Sequence, residues 1–198
     1  WSESLLSARL FAHLAAAGRN AMVVNDATLS ESDVDRLFLI PPAGLLVTGT
    51  VNDNISMVAI RKTLSGGLYS KTKARQVSSE YIGKLKIKTP SGDEIVGNLS
   101  GGNQQKVVIG KWLLNDPDII ILDEPTRGID VGAKRDIYLL IGSLVQQGKA
   151  VIMISSEIPE LMGVCDRIAI MSEGHLSGEL DRQNFSQEKI MELASRIE

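Results

Sequence analysis

Two stretches decide how this chain is read: Leu99-Ser100-Gly101-Gly102-Asn103-Gln104-Gln105-Lys106 and Ile119-Ile120-Ile121-Leu122-Asp123-Glu124-Pro125-Thr126. In the first, a serine and two glycines stand where a helix begins. Glycine lets backbone approach a ligand closely, and the first N–H groups of a helix are unpaired at the positive end of its dipole. Such a place suits a phosphate, and the Ser100 hydroxyl adds a further donor. In the second, an apolar strand ends in two carboxylates, where open α/β sheets bind ligands. Asp123 and Glu124 there suit a magnesium ion and a polarised water. Both stretches also admit plain roles, a capped turn and the start of a solvated loop. Their order, octapeptide before acidic strand, favours the chemical reading.

Downstream, the pattern predicts a helix over 132–146, a strand over 150–154 and a short helix from Pro159. A strand over 167–171, a turn at 172–174, a hairpin partner from His175 and a helix over 187–196 follow. Strands apolar on both faces, alternating with helices, predict an α/β domain with a mostly parallel sheet flanked by helices. Upstream, Thr50 or Asn52 caps a helix bearing Ile55, Val58 and Ile60. A glycine-bearing loop is expected over 64–69, then a charged helix over 71–85 with Val77, Tyr81, Ile82 and Leu85 inward. The helix opened by Gly101 carries Val107, Val108, Ile109 and Trp112 to about Leu114. Residues 1–43 read as an unassigned segment: a helix over 4–17, a short strand over 21–24 and a helix over 31–37, broken by Pro41-Pro42. The stretch 5–18 lacks a basic leader and reads as amphipathic helix rather than a signal peptide. The organisation expected is therefore 1–43 unassigned and 44–198 as the main domain, helical over about 51–114 and α/β over about 115–198.

At 198 residues, 43% hydrophobic and 23% charged, the chain can bury one core with a small appendage. A net charge of −3 and no basic cluster interleaved with aromatics argue against nucleic acid. No apolar run approaches the ~20 residues of a membrane span. The single cysteine, Cys165, excludes an intrachain disulfide, fits a reducing compartment and reads as a small buried hydrophobe. His175 falls in the hairpin and reads as structural. No G-x-x-x-x-G-K-[S/T] phosphate loop occurs in the chain.

The runs LSGGNQQK (99–106), IIILDEPTRGIDVGAK (119–134), ISSEIPELMGVCDRIAIM (154–171) and SEGHLSGEL (172–180) resemble ABC-type ATPases. More narrowly, they resemble the second nucleotide-binding half of bacterial monosaccharide importers of the ribose, galactoside and xylose type. The likeness is legible over 44–198; Leu39 to Ala43 replace an acidic and basic segment usual there. It implies a partial P-loop NTPase-like ABC ATPase domain with a helical signature subdomain. It implies that Ser100, Gly101, Gly102, Asn103 and Gln104 form the signature that completes an ATP site in trans. Asp123 and Glu124 would be Walker B residues, the first on Mg²⁺ and the second the catalytic base. Gly128 and Asp130 would belong to the D-loop at the interface, although Asp130 could equally cap the following helix. Ser156 stands at the switch position, where many relatives carry a histidine; serine cannot titrate near neutrality.

The cofactors implied are ATP and Mg²⁺. The partners implied are a first nucleotide-binding half or second ATPase copy, membrane permease subunits and, indirectly, a periplasmic sugar-binding protein. Nucleic acid is not among them, and a homo-oligomer is an open option. The location implied is cytoplasmic, peripheral to the inner membrane. Lacking the phosphate loop, the chain is expected to be a piece of something longer and to turn ATP over weakly or not at all. The alternative is a non-enzymatic ABC-domain module acting through protein–protein contacts. An ABC ATPase of DNA repair fits less well, since neither a coiled-coil insertion nor a basic nucleic-acid surface is visible.

Overall fold

The computed structural model describes the backbone of residues 22–24 and 37–40 and nearly all of 48–195 with side chains. The helices expected over 4–17 and over most of 31–37 lie outside the described residues. The chain divides into two compact units, one of Trp1–Leu39, Asp118–Pro125 and Ile141–Glu198, the other of Ile40–Pro117 and Thr126–Leu140. Strand β1 (Met22–Val24) matches the strand expected there. Strand β2 (Leu37–Ile40) corrects a boundary, because Leu37 was expected to end a helix. The run Leu37-Phe38-Leu39-Ile40 instead joins a sheet edge, where an apolar, β-favouring segment gains more than from local helical periodicity.

The helical unit opens with α1 (Val51–Ser56). Of the two candidate caps, Thr50 does the capping. Its hydroxyl accepts the Asp53 N–H at 3.0 Å, and the Asp53 carboxylate accepts the Thr50 N–H at 3.1 Å. This reciprocal box satisfies two orphan donors and sets a negative charge at the positive helix end. Val51 and Ile55 are fully buried. After the short α2 (Ile60–Thr63), the expected loop is a hairpin of β3 (Leu64–Ser65) and β4 (Leu68–Tyr69). Gly66 and Gly67 close it with φ of 57° and 83°, the two left-handed positions that a tight hairpin turn requires.

Helix α3 (Lys71–Lys84) starts at Ser70, whose hydroxyl accepts the Lys73 N–H. Its buried face is Ala74, Ser78 and Tyr81, continued by Leu85. Val77 and Ile82, expected inward, are only half-buried. The Ser78 hydroxyl donates to the Asn52 carbonyl at 3.3 Å, and the Tyr81 hydroxyl donates to the Leu113 carbonyl at 3.1 Å. These bonds turn the polar side chains inward, a rotation that hydrophobic periodicity alone does not encode. Burial raises the Tyr81 phenol above its ordinary value. Helix α4 (Gly101–Leu113) buries Val107, Val108, Ile109 and Leu113, while Trp112 is half-buried.

In the other unit, β5 (Ile119–Asp123) and β6 (Ala150–Ile154) are buried at every position. They pair in parallel, from Ile119 opposite Ala150 to Asp123 opposite Ile154. Strand order is β1-β6-β5-β2, with β1 antiparallel to β6 and Met22 opposite Met153. Strands covered on both faces carry unbroken apolar runs, each isoleucine worth about 1.5–3 kcal/mol when fully buried. Between them runs α5 (Val131–Gln146), shared by the two units at Leu140. Helix α6 (Ile158–Val164) begins with Pro159 in its first turn, where a missing N–H costs nothing. A hairpin of β7 (Arg167–Ser172) and β8 (His175–Asp181) and the helix α7 (Gln187–Ala194) complete the unit. Cys165 is fully buried, as expected, and His175 is exposed on the hairpin.

Candidate functional site

At the C-terminal end of β5 the chain must turn out of the sheet. Asp123 is the last residue of the ladder and is buried. Glu124 makes the turn with φ of 46°, a left-handed conformation costing a non-glycine residue about 1–3 kcal/mol. Two bonds hold it there. The Glu124 N–H donates to the Ile154 carbonyl at 2.8 Å, and its carboxylate accepts the Ser156 N–H at 3.1 Å. The parallel pair β5 and β6 thereby sets the acid at both ends. At position 156 the backbone orients the carboxylate, while the serine side chain is exposed. Beneath it, the Ser155 hydroxyl donates to the buried Glu160 at 2.8 Å and accepts the Glu157 N–H at 3.1 Å. No group of three or more His, Cys, Asp or Glu that could cage a metal occurs among the described residues. A carboxylate pair of this kind fits Mg²⁺ that arrives on phosphates and keeps its waters.

The helical unit carries the other stretch. Ser100 is extended and immediately precedes α4, and its hydroxyl caps no backbone N–H; it accepts the Asn103 side-chain amide at 2.9 Å. The Ser100 carbonyl takes the N–H groups of both Asn103 and Gln104 at 2.9 Å. No bond within the described residues takes up the Gly101 or Gly102 N–H. Two donors and a hydroxyl thus remain at the positive end of a 13-residue helix. Asn103 and Gln104 brace this end: Asn103 Oδ1 accepts the Lys88 N–H at 2.9 Å, and Gln104 Nε2 donates to the Leu99 carbonyl at 2.8 Å.

The two glycines differ in surroundings. A methyl on Gly102 would lie 2.4 Å from the Ala133 Cβ, whereas one on Gly101 would meet nothing nearer than the Gly128 carbonyl at 3.8 Å. Gly102 is the point where α4 and α5 touch, and Gly101 leaves open space. Asp130 caps α5, its Oδ1 accepting the Ala133 N–H at 3.0 Å, and Gly128 takes a φ of 74° in the preceding loop.

Sequence reading missed two supports. Lys106 Nζ, buried, donates to Asp136 Oδ2 at 2.9 Å and to the Lys86 carbonyl at 3.3 Å. That bond and charge hold the Asp136 carboxyl below its ordinary value. Ala133 is the other. The spacings could have found both, since Gly102 and Lys106 lie one turn apart on α4, and Ala133 and Asp136 one turn apart on α5. The acidic pair and the glycine stretch belong to different units.

Comparison with known proteins places the sequence and the fold. The family model described as ABC transporter matches residues 16–127, which carries the likeness back into the segment where sequence reading found none. The chain is 51% identical over 152 residues to the ribose import ATP-binding protein RbsA of Clostridium tetani (strain Massachusetts / E88), covering 76% of this chain and 30% of that protein. It is 48% identical over 156 residues to RbsA of Clostridium perfringens (strain SM101 / Type A), covering 78% and 31%. The chain thus spans about 30% of the length of the curated relatives it matches. A dimeric ATP-binding cassette in a post-hydrolysis state with ADP and phosphate superposes with a TM-score of 0.65 at 21% identity, covering 90% of this chain and 82% of that one. That likeness shows the fold, a partial P-loop cassette. With motifs, family model and fold in agreement, the chain belongs to the ABC transporter family.

Proposed function

We propose that this chain is part of the ATP-binding subunit of a bacterial sugar importer and completes an ATP site held mainly by another domain. The observation that carries this reading is the head of α4, where the Gly101 and Gly102 N–H groups and the Ser100 hydroxyl converge without backbone partners. These donors suit the terminal phosphate of a nucleotide seated on a phosphate loop, which this chain's sequence lacks. Asn103 and Gln104 keep the helix end rigid. Gly128 and Asp130, which the resemblance gives to the D-loop, would face that other domain in the same assembly. At the chain's own acidic strand end, Asp123 would hold Mg²⁺ through water, and the metal would neutralise charge on the phosphates. Glu124 would orient and deprotonate a water, a contribution of roughly 10²–10⁴ in rate. With Ser156 in place of a titratable switch residue and no phosphate loop, this chain turns over little ATP alone. Its partners are a first nucleotide-binding half or a second ATPase copy, permease subunits at the cytoplasmic membrane and, through them, a sugar-binding protein. The relatives' names point to ribose as the sugar class.

Calorimetry on the pure chain, and on the chain mixed with the first nucleotide-binding half of the C. tetani relative, tests this. Expected are at most millimolar Mg-ATP affinity alone and Mg-ATP-dependent association in the mixture. Gly101→Glu, which sets a carboxylate against the phosphate in open space, weakens that association at least ~10-fold. Micromolar Mg-ATP binding by the chain alone would overturn the reading. Association indifferent to nucleotide would favour the interaction-module alternative instead.

A further inference from the structure

The helical unit carries one surface that the ATP chemistry does not use. Between Asp53 and Glu80 the chain has no acidic residue and five cations: Arg61, Lys62, Lys71, Lys73 and Arg75. The β3–β4 hairpin projects from the middle of this run. Leu68 at its turn is 77% exposed and Tyr69 is 50% exposed, the former among the most exposed large apolar side chains described. Leu68 and Tyr69 are neighbours on this tip, an aliphatic and an aromatic side chain both open to solvent.

The cations gather around the hairpin by construction. Arg61 and Lys62 lie on α2, immediately before β3, and Lys71 and Lys73 on the first turn of α3, immediately after β4. Lys73 Nζ donates to the Leu64 carbonyl at 2.8 Å, and Lys62 Nζ to the Leu114 carbonyl, bonds to neutral groups that leave both ammonium charges in place. Among the described residues only Arg75 of the five meets a carboxylate, Asp93, at 3.2 Å. Arg61 and Lys71 are exposed. Among the described residues, four cations without a carboxylate partner thus flank, on α2 and α3, an exposed Leu-Tyr tip closed by a two-glycine turn.

We propose that this hairpin docks on an anionic lipid surface, with Leu68 and Tyr69 entering the headgroup layer and Arg61, Lys62, Lys71 and Lys73 lying against lipid phosphates. The charge pattern and the tip chemistry together select this occupant. An aliphatic side chain beside an interfacial aromatic suits the boundary between headgroups and acyl chains, and juxtaposed Lys and Arg side chains suit a negative leaflet. The contact needs neither nucleotide nor a permease, and it stands or falls apart from the signature assignment.

The test is flotation of the full 198-residue chain with vesicles of phosphatidylcholine alone and with equal parts phosphatidylglycerol added. Partition is expected with the anionic vesicles only, and to fade as salt rises. Arg61→Gln and Lys71→Gln are each expected to lower partition about fivefold, the worth of one basic residue near such a surface. Leu68→Ser, at an exposed position that leaves the core intact, also lowers it. Arg135→Gln, an exposed cation on α5, leaves it unchanged, and circular dichroism checks that each variant is folded. Failure to float with anionic vesicles, or equal losses from Arg135→Gln and Lys71→Gln, would overturn the proposal. So would flotation that requires permease subunits in the vesicle, which would make the hairpin a protein contact. Mg-ATP-dependent association measured on the same Leu68→Ser sample remains intact if the signature reading holds, so the two readings fail separately.

Discussion

Replacing Gly102 by alanine adds a single methyl at the one place where α4 and α5 have no room for it. The added carbon would lie 2.4 Å from the Ala133 Cβ. Carbon atoms in contact prefer about 3.8 Å, so the helices must separate by about 1.4 Å or shift along one another. Overpacking of this kind costs about 1–3 kcal/mol, against which alanine recovers up to about 1 kcal/mol of helix propensity. A net loss of about 1–2 kcal/mol is expected, read as a fall of about 0.5–1 M in the urea midpoint. Gly101→Ala is the control. Its methyl meets only the Gly128 carbonyl at 3.8 Å, so stability stays within about 0.5 kcal/mol. A double-mutant cycle with Ala133→Gly isolates the contact: the coupling should exceed about 1 kcal/mol, because the second change removes the methyl that the first one strikes. Gly102→Ala as stable as the parent, or a strictly additive cycle, would refute the close packing of α4 against α5 at this point.

Further outcomes follow from the described bonds and from burial. Asp136, its carboxyl held down chiefly by the hydrogen bond from Lys106, stabilises the fold above its unfolded pKa and loses that contribution as pH falls through the lower folded value. Acid titration of stability below the ordinary value of 3.8 should therefore be steeper in the parent than in Asp136→Asn. Cys165, whose thiol burial pushes up from 9.0 to about 12, should resist a thiol reagent until the protein unfolds. Its raised pKa leaves stability intact below pH 9.0 and erodes it as pH climbs toward 12, a slope that Cys165→Ala should remove. Ser156→Ala should leave stability within about 0.5 kcal/mol, since the bond to Glu124 comes from the backbone N–H. Glu124→Gln keeps an acceptor for that N–H and should be equally stable, while hydrolysis in the assembled complex falls about 100-fold or more.

Several of these features were legible in the chain before any fold was known. The unbroken apolar runs at 119–122 and 150–154 require cover on both faces, and they form the parallel pair β5 and β6 in register. Asp123 and Glu124 close the apolar run, and Asp123, though still buried, is the last residue of the strand. Ser100 precedes α4 and Asp130 caps α5 because local chemistry at a helix start is set within three or four residues. Where sequence reading erred, the deciding contact was distant. Leu37 follows a helical pattern locally, yet β2 joins the sheet edge beside β5, a strand far along the chain. Val77 and Ile82 yield the inward face of α3 to Ser78 and Tyr81, whose hydroxyls reach the carbonyls of Asn52 and Leu113.

Sequence alone therefore determined the cassette: strand, acidic pair, glycine-headed helix and their order, all carried by residue type and short spacing. Tertiary structure alone decided the division of labour within the motif. Two adjacent glycines are identical in sequence, but only Gly102 faces a neighbouring helix, which makes it the packing residue and leaves open space at Gly101. Likewise the carboxylate of Glu124 is aimed by an amide 32 residues away, in the next strand's exit loop. Orientation of this kind depends on which backbone groups the sheet brings side by side, and no local pattern of side chains encodes it.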